Sequence, residues 1–227
     1  MSEILKPYQQ DFAKNIYSSG AFQIKPEGDG FTLKIHQANP EAPKSPYYIN
    51  LRKDAVGDEA FERLVQSLAM AIQVDCLDIH YSDSPIRPDR VVGIPKAGTP
   101  IAKAYQEITG LPMLVMDKEE SDSRRKISSV IHGDFKPGMK ILGVDDLITG
   151  ADTKFEFKEG VEANELVLAH MAVGLDREQG GIGKLREAGV SVSAALTVTQ
   201  LLDYGRSSNR LSETDYDRLR TYIDSQS

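Results

Sequence analysis

Two adjacent carboxylates, Asp145 and Asp146, follow a short apolar run, Ile141 to Val144, and precede a small-residue turn, Thr149-Gly150-Ala151-Asp152-Thr153. The run reads as a strand buried on both faces, with the aspartates where it should end and a helix after the turn. In open α/β sheets ligands bind beyond the carboxyl ends of the strands, and the free N–H groups of a helix start attract phosphate. Carboxylates beside such a cradle suit a sugar, because they accept hydrogen bonds from ribose hydroxyls. The alternative is that the aspartates merely cap the next helix.

Three further stretches fall at expected strand ends. In Ile94-Pro95-Lys96-Ala97-Gly98, the strand-to-helix turn can aim the Lys96 ammonium into the same cleft, or leave it solvated. In Leu175-Asp176-Arg177-Glu178-Gln179-Gly180-Gly181, Arg177 is placed for a planar anion, since guanidinium binds carboxylate bidentately. Its alternative is a surface ion pair with Glu178. Lys34 with Tyr47 and Tyr48 can bracket a flat ring, unless the tyrosines are core residues.

Composition narrows the chemistry. The chain has 227 residues, 40% hydrophobic, which is enough for one good core, so a single domain over 1–227 is expected, with residues 1–52 forming an N-terminal helix and cap. A net charge of -7 argues against general nucleic-acid binding. Cys76 is the only cysteine, which excludes a disulfide framework and a thiolate metal cluster. No apolar run is long enough to span a bilayer and the N-terminus starts no signal peptide, so a cytoplasmic location without membrane contact is expected. The four histidines, His36, His80, His132 and His170, show no metal spacing and stand near no nucleophile. No nucleophile elbow, Walker loop or dinucleotide fingerprint occurs.

The elements that must position these residues follow from periodicity. Helices are expected over Ile4–Ser19, from Asp58 through Ile72, over Gly98–Ile108 and Ile182–Glu187, and from Ser212 to the C-terminus. Strands are expected at Phe22–Ile24 and Phe31–Ile35 with a turn between them, near Ser45–Asn50, and at Val91–Ile94, Met113–Val115, Ile141–Val144, Leu166–Val173 and Val190–Ala194. Asp117–Ser129, charged and serine-rich, reads as a mobile loop. Strands alternating with helices predict an α/β fold, a mainly parallel sheet with helices on both faces, under a small antiparallel cap.

The segments SPYYINLR (45–52), VVGIPKAGTPIA (91–102), ILGVDDLITG (141–150) and LDREQGG (175–181) resemble orotate phosphoribosyltransferases, of the type I phosphoribosyltransferase family. The resemblance runs through nearly the whole chain and implies transfer of a phosphoribosyl group from phosphoribosyl diphosphate to orotate, giving orotidine 5′-phosphate. It implies ribose contacts from Asp145 and Asp146, a 5′-phosphate turn from Thr149 to Thr153, diphosphate contact from Lys96, and orotate carboxylate binding by Arg177. Lys34, Tyr47 and Tyr48 would surround the orotate ring and the 5′-phosphate side. It further implies Mg²⁺ carried on the substrate diphosphate, with no protein metal cage, and a homodimer in which a mobile loop closes the neighbour's site.

Two places depart from the family pattern. The loop register gives Asp117, Lys118, Ser121 and Ser123, of which only Lys118 keeps its type; Arg124, Arg125 and Lys126 are the substitute cations. The phosphate turn, usually Thr-x-Gly-Thr, here has Ala151 and Asp152. An enzyme is one reading; a non-catalytic relative that keeps a nucleotide or pyrimidine pocket for regulation is the other.

Overall fold

Helix α1 (Pro7–Ser18) opens on a proline, whose missing N–H would have had no helical partner anyway, and buries Phe12, Ala13 and Ile16. Strand β1 (Phe22–Ile24) pairs antiparallel with β2 (Tyr47–Ile49), in the register Phe22↔Ile49 and Ile24↔Tyr47. The hairpin expected between Phe22–Ile24 and Phe31–Ile35 is therefore not the pairing that forms. Phe31 makes one bridge to Ser45 instead, because Tyr47 and Ile49 offer β1 the larger apolar face. Helices α2 (Lys53–Val56) and α3 (Asp58–Asp75) follow.

The main unit comprises β3 (Arg90–Gly93), α4 (Gly98–Thr109), β4 (Met113–Glu120), β5 (Arg125–His132), β6 (Lys140–Ile148), α5 (Asp152–Glu162), β7 (Val167–Asp176), α6 (Gly181–Glu187) and β8 (Val192–Thr197). Helices α7 (Val198–Ser207) and α8 (Glu213–Asp224) end it. This computed structural model describes residues 5–33, 40–41, 43–75, 87–120 and 125–226, without the side chains at 75, 118–120 and 125–129. The sheet order is β5-β4-β3-β6-β7-β8, parallel except for β5. One face is covered by α1, α3, α4, α7 and α8 through Phe12, Leu68, Ile101, Leu201 and Leu219. The other carries α5 and α6 through Phe157, Val161 and Leu185. The cap shares the first of these cores, since Phe22, Tyr47 and Ile49 belong to it. Among the described residues no helix is long and apolar enough to cross a membrane.

Two expectations are corrected in the main sheet. The stretch Asp117–Ser129 is not a loop over its length: β4 and β5 continue through it as an antiparallel hairpin, leaving only 121–124 outside the described residues. The register sets buried Met116 opposite buried Ile131 and carries the ladder outward to Glu120 opposite Arg125. The central strand also runs on past the aspartates to Ile148, pairing Ile148 with Asp176, because β7 is long enough to continue the ladder. Helix α7 was hidden behind β8, although Thr197 and Gln200 form a capping box.

A close approach between two glycines sets where α4 begins. A Cβ on Gly98 would lie 2.2 Å from the Val144 carbonyl oxygen, which itself accepts the Ile94 N–H at 2.9 Å. Neither partner can retreat without shifting the strand that carries Asp145. Gly98→Ala is therefore expected to lower stability by about 1–3 kcal/mol, as overpacking typically does, read as a lower urea midpoint at unchanged slope. An unchanged midpoint would show that the turn has room.

Candidate active site

Parallel pairing of β3, β6 and β7 brings their carboxyl ends to one edge, so Lys96, the aspartates and Arg177 emerge together. The Arg177 N–H donates to the Ile148 carbonyl at 3.0 Å, and the Ile94 N–H donates to Val144. The turn after β6 packs on the loop after β7, where a Cβ on Gly181 would come within 2.4 Å of the Thr149 carbonyl.

Lys96 is exposed and holds a left-handed backbone, φ 78°, unusual for a residue with a side chain. Such strain, about 1–3 kcal/mol, concentrates in functional turns. It lines a cleft of about 490 Å³ with Leu51, Arg52, Lys53, Asp54 and Phe61. Arg52 was overlooked in the sequence, although it stands four residues after Tyr48, just past β2, and gives this cleft further positive charge along with Lys96.

The two aspartates differ sharply. Asp145 is 4% exposed, and its Oδ2 accepts a 2.7 Å hydrogen bond from the Lys154 Nζ, itself buried. The same ammonium donates to the Leu147 carbonyl at 2.8 Å. Removing one partner of such a pair typically costs ~3–5 kcal/mol, because the other charge stays buried. Lys154 was also missed, yet it stands three and seven residues before Phe157 and Val161, on the stripe of α5 that faces the core. A cation there requires an internal carboxylate. Asp146 is half-buried; burial first, then the Asp145 charge, pushes its pKa up to about 7, against the opposing charges of Lys154 and Arg52.

At the start of α5, Ala151 is buried and no side chain caps the helix. Asp152 and Thr153 are exposed in the first turn, where a negative charge is favoured by the helix dipole. Asp152 thus supplies from within the chain a charge of the sign that this turn would attract.

Arg177 is 6% exposed, with its guanidinium 4.9 Å from the centre of the Tyr47 ring. Its Nε and Nη2, like the Tyr47 hydroxyl, make no hydrogen bond of normal geometry among the described residues, although the guanidinium lies close enough to the phenol to favour its ionised form. Glu178 does not provide one, since its carboxylate accepts the Thr199 N–H at 2.8 Å. A buried guanidinium with two idle nitrogens is a site for an anion that can reach both. Tyr47 is fully buried, against Phe22 and Tyr222, and burial pushes its phenol pKa up despite Arg177. Tyr48 faces outward more and stacks on Phe31, with centroids 5.5 Å apart.

Lys34 and Arg124 lie outside the described residues, as do the side chains of Lys118, Arg125 and Lys126. His36 and His80 are outside as well. His170 is buried between the Ser191 and Ser193 hydroxyls, 2.8 and 2.9 Å away, and exposed His132 meets Asp117 at 2.7 Å.

An orotate phosphoribosyltransferase of Caenorhabditis elegans is 30% identical over 208 residues, covering 91% of this chain and 82% of that protein. The chain belongs to the orotate phosphoribosyltransferase family. An orotate phosphoribosyltransferase of Thermococcus gammatolerans is 30% identical over 174 residues, covering 77% of this chain and 86% of the relative. Among solved structures, Leishmania donovani UMP synthase aligns with a TM-score of 0.75 at 25% identity, over 96% of this chain but only 42% of the larger protein. No protein-family model matches the chain. Membership places the chain among transferases and agrees with the mainly parallel sheet under a two-stranded antiparallel cap.

Proposed function

We propose that the chain transfers the phosphoribosyl group of phosphoribosyl diphosphate to orotate, yielding orotidine 5′-phosphate and diphosphate in pyrimidine biosynthesis. The observation that carries this reading is the buried Arg177 guanidinium, with two idle nitrogens, at the sheet edge that also bears the two aspartates. The names of the relatives point to the same reaction. In this reading Arg177 fixes the orotate carboxylate, Asp146 faces the ribose with Asp145 buried behind it, and the amide groups opening α5, from Thr149 to Thr153, receive the 5′-phosphate. Lys96, with Arg52 beside it, faces the diphosphate. Lys34, Tyr48 and the hairpin cations Lys118, Arg124, Arg125 and Lys126 complete the enclosure; Tyr47 acts from beneath, as the platform under Arg177. The reaction needs positioning and charge neutralisation more than a covalent nucleophile.

Mg²⁺ fits this arrangement as an ion carried by the diphosphate. Among the described residues no three acidic or histidine side chains gather as a cage, and Mg²⁺ commonly binds through substrate phosphates and water. When bound it neutralises charge on the leaving diphosphate. The unit is read as a single domain and a cytoplasmic homodimer, the β4–β5 hairpin reaching the neighbour's site.

Diphosphate release tests the reaction, using phosphoribosyl diphosphate, Mg²⁺ and a panel of bases. Turnover with orotate and not with uracil is expected; no release above the protein-free control with any base would overturn the reading. Small-angle scattering at micromolar protein should return a mass of two chains of 25.0 kDa each, and a monomer mass would remove the shared-site arrangement.

A further inference from the structure

The buried ion pair divides the two neighbouring aspartates into unequal parts. One oxygen of Asp145 accepts the Lys154 ammonium at 2.7 Å, and the other accepts the Asp146 N–H at 3.0 Å. Both oxygens are thus engaged by the chain itself, and the Asp145 side chain is 6% exposed. Lys154 is held equally firmly, through Asp145 and the Leu147 carbonyl. Asp146 has one oxygen, Oδ1, taken by the Leu147 N–H at 2.8 Å, and lines a narrow crevice with Leu51, Phe61 and Ala97, residues that also wall the cleft containing Lys96.

We propose that Lys154 is a positioning residue: it fixes Asp145 as an internal anion, leaves Asp146 alone to face the ligand, and keeps Asp146 able to ionise beside its charged neighbour. The identity of that ligand rests on the phosphoribosyl-transfer reading above; the electrostatic arrangement does not. Two carboxylates on consecutive residues resist ionising together in a partly dry site, and an ammonium in contact with one relieves both. The charged groups acting on Asp146 are Asp145 from its own strand, Lys154 from α5 and Arg52 from the segment before α2. The remaining wall of the crevice, from α1, α3 and α4, is apolar, with Phe12, Leu68 and Ile101. No other described group lining it can take over the role of the lysine.

The test is the titration of the Asp146 carboxyl, followed by carbon NMR in the full chain, in wild type, Lys154→Met, Lys154→Arg and the double variant Asp145→Asn/Lys154→Met. Lys154→Met should raise the Asp146 midpoint by about one unit or more, and Lys154→Arg should keep it near the wild-type value. The double variant should titrate below Lys154→Met, because it also lacks the like charge of Asp145 that raises Asp146. The acid limb of kcat/KM for phosphoribosyl diphosphate should follow. A midpoint moved up one unit from about 7 lowers kcat/KM about fivefold at pH 7, with recovery near pH 9. A merely structural lysine would lower kcat/KM equally at every pH, without rescue by arginine, and that result overturns the proposal. So does an Asp146 midpoint unmoved in Lys154→Met. Should Lys154→Met fail to fold, the double variant is compared with Asp145→Asn/Lys154→Arg: the cation should hold the Asp146 midpoint lower, and equal midpoints overturn the proposal. The expected titration shifts in a chain without turnover would uphold the role of Lys154 and overturn the transferase reading.

Discussion

Asp146→Asn is expected to cripple catalysis and to stabilise the fold, two effects of opposite sign from one atom. On the functional side, a carboxylate next to the ribose both accepts hydrogen bonds from its hydroxyls and stabilises positive charge developing at the anomeric carbon. Losing one such electrostatic contact typically lowers the rate about 10²–10³-fold, and that range is expected in kcat/KM for phosphoribosyl diphosphate. On the stability side, the folded pKa stands at about 7 against an ordinary 3.8. The folded chain therefore binds more protons than the unfolded chain between those values, and stability falls as pH rises through that window. What protonated Asp146 contributes is fully present below about pH 4 and lost as pH rises through about 7. Asparagine stays neutral throughout. The variant should melt higher than wild type at pH 8 and differ less at pH 5, each kcal/mol regained appearing as ~2–4 °C. Thermal unfolding at both pH values, beside steady-state kinetics, checks both halves. A variant less stable at pH 8 would show that the Asp146 charge is well accommodated, and full activity would remove Asp146 from the site.

Arg177→Ala is expected to weaken orotate binding about ten- to a hundredfold, the size of one charge-assisted pair at about 1.5–3 kcal/mol. The loss should concentrate on the carboxylate: uracil, which lacks it, should bind wild type and variant alike. Because the guanidinium rests on Tyr47 and two of its nitrogens lack partners among the described residues, removing it does not break an internal ion pair shown there. The fold should consequently tolerate the change better than it tolerates loss of Lys154. Calorimetry with orotate and uracil, alongside a urea midpoint, separates binding from folding. Orotate affinity unchanged in the variant would assign the buried arginine a purely structural part.

Much of this was legible in the sequence because the strands of a parallel sheet are apolar runs bounded by turn residues. Val91–Ile94, Ile141–Val144 and Leu166–Val173 announced themselves that way, and with them the edge at which Lys96, the aspartates and Arg177 meet. Pairing choices were less visible. Whether Phe22–Ile24 joined Phe31 or Tyr47 depended on burial across the cap, which alternation within either run does not encode. The β4–β5 hairpin escaped for a related reason: beyond the buried Met116–Ile131 pair its sequence is mostly charged and polar, and hydrophobic period is silent there. Within the site, residues with obvious chemistry were easy to see, whereas Lys154 looked like one more helical surface lysine. Only its place on the stripe with Phe157 and Val161 marked it as internal.

Arg218 donates to the Lys25 carbonyl across 193 positions, and Tyr222 stands edge-on to Tyr47 with centroids 6.0 Å apart. Helix α8 thus packs behind Tyr47, on which the Arg177 guanidinium rests, although the strand carrying that tyrosine lies far earlier in the chain. Contacts that close so long a loop form late, because the chain entropy must be surrendered before they return anything. A nascent chain stopped before α8 has its parallel sheet but an unfinished cap, with Tyr47 and Phe22 uncovered on one side. The ground under Arg177 is accordingly finished by the docking of α8 and not by sheet formation.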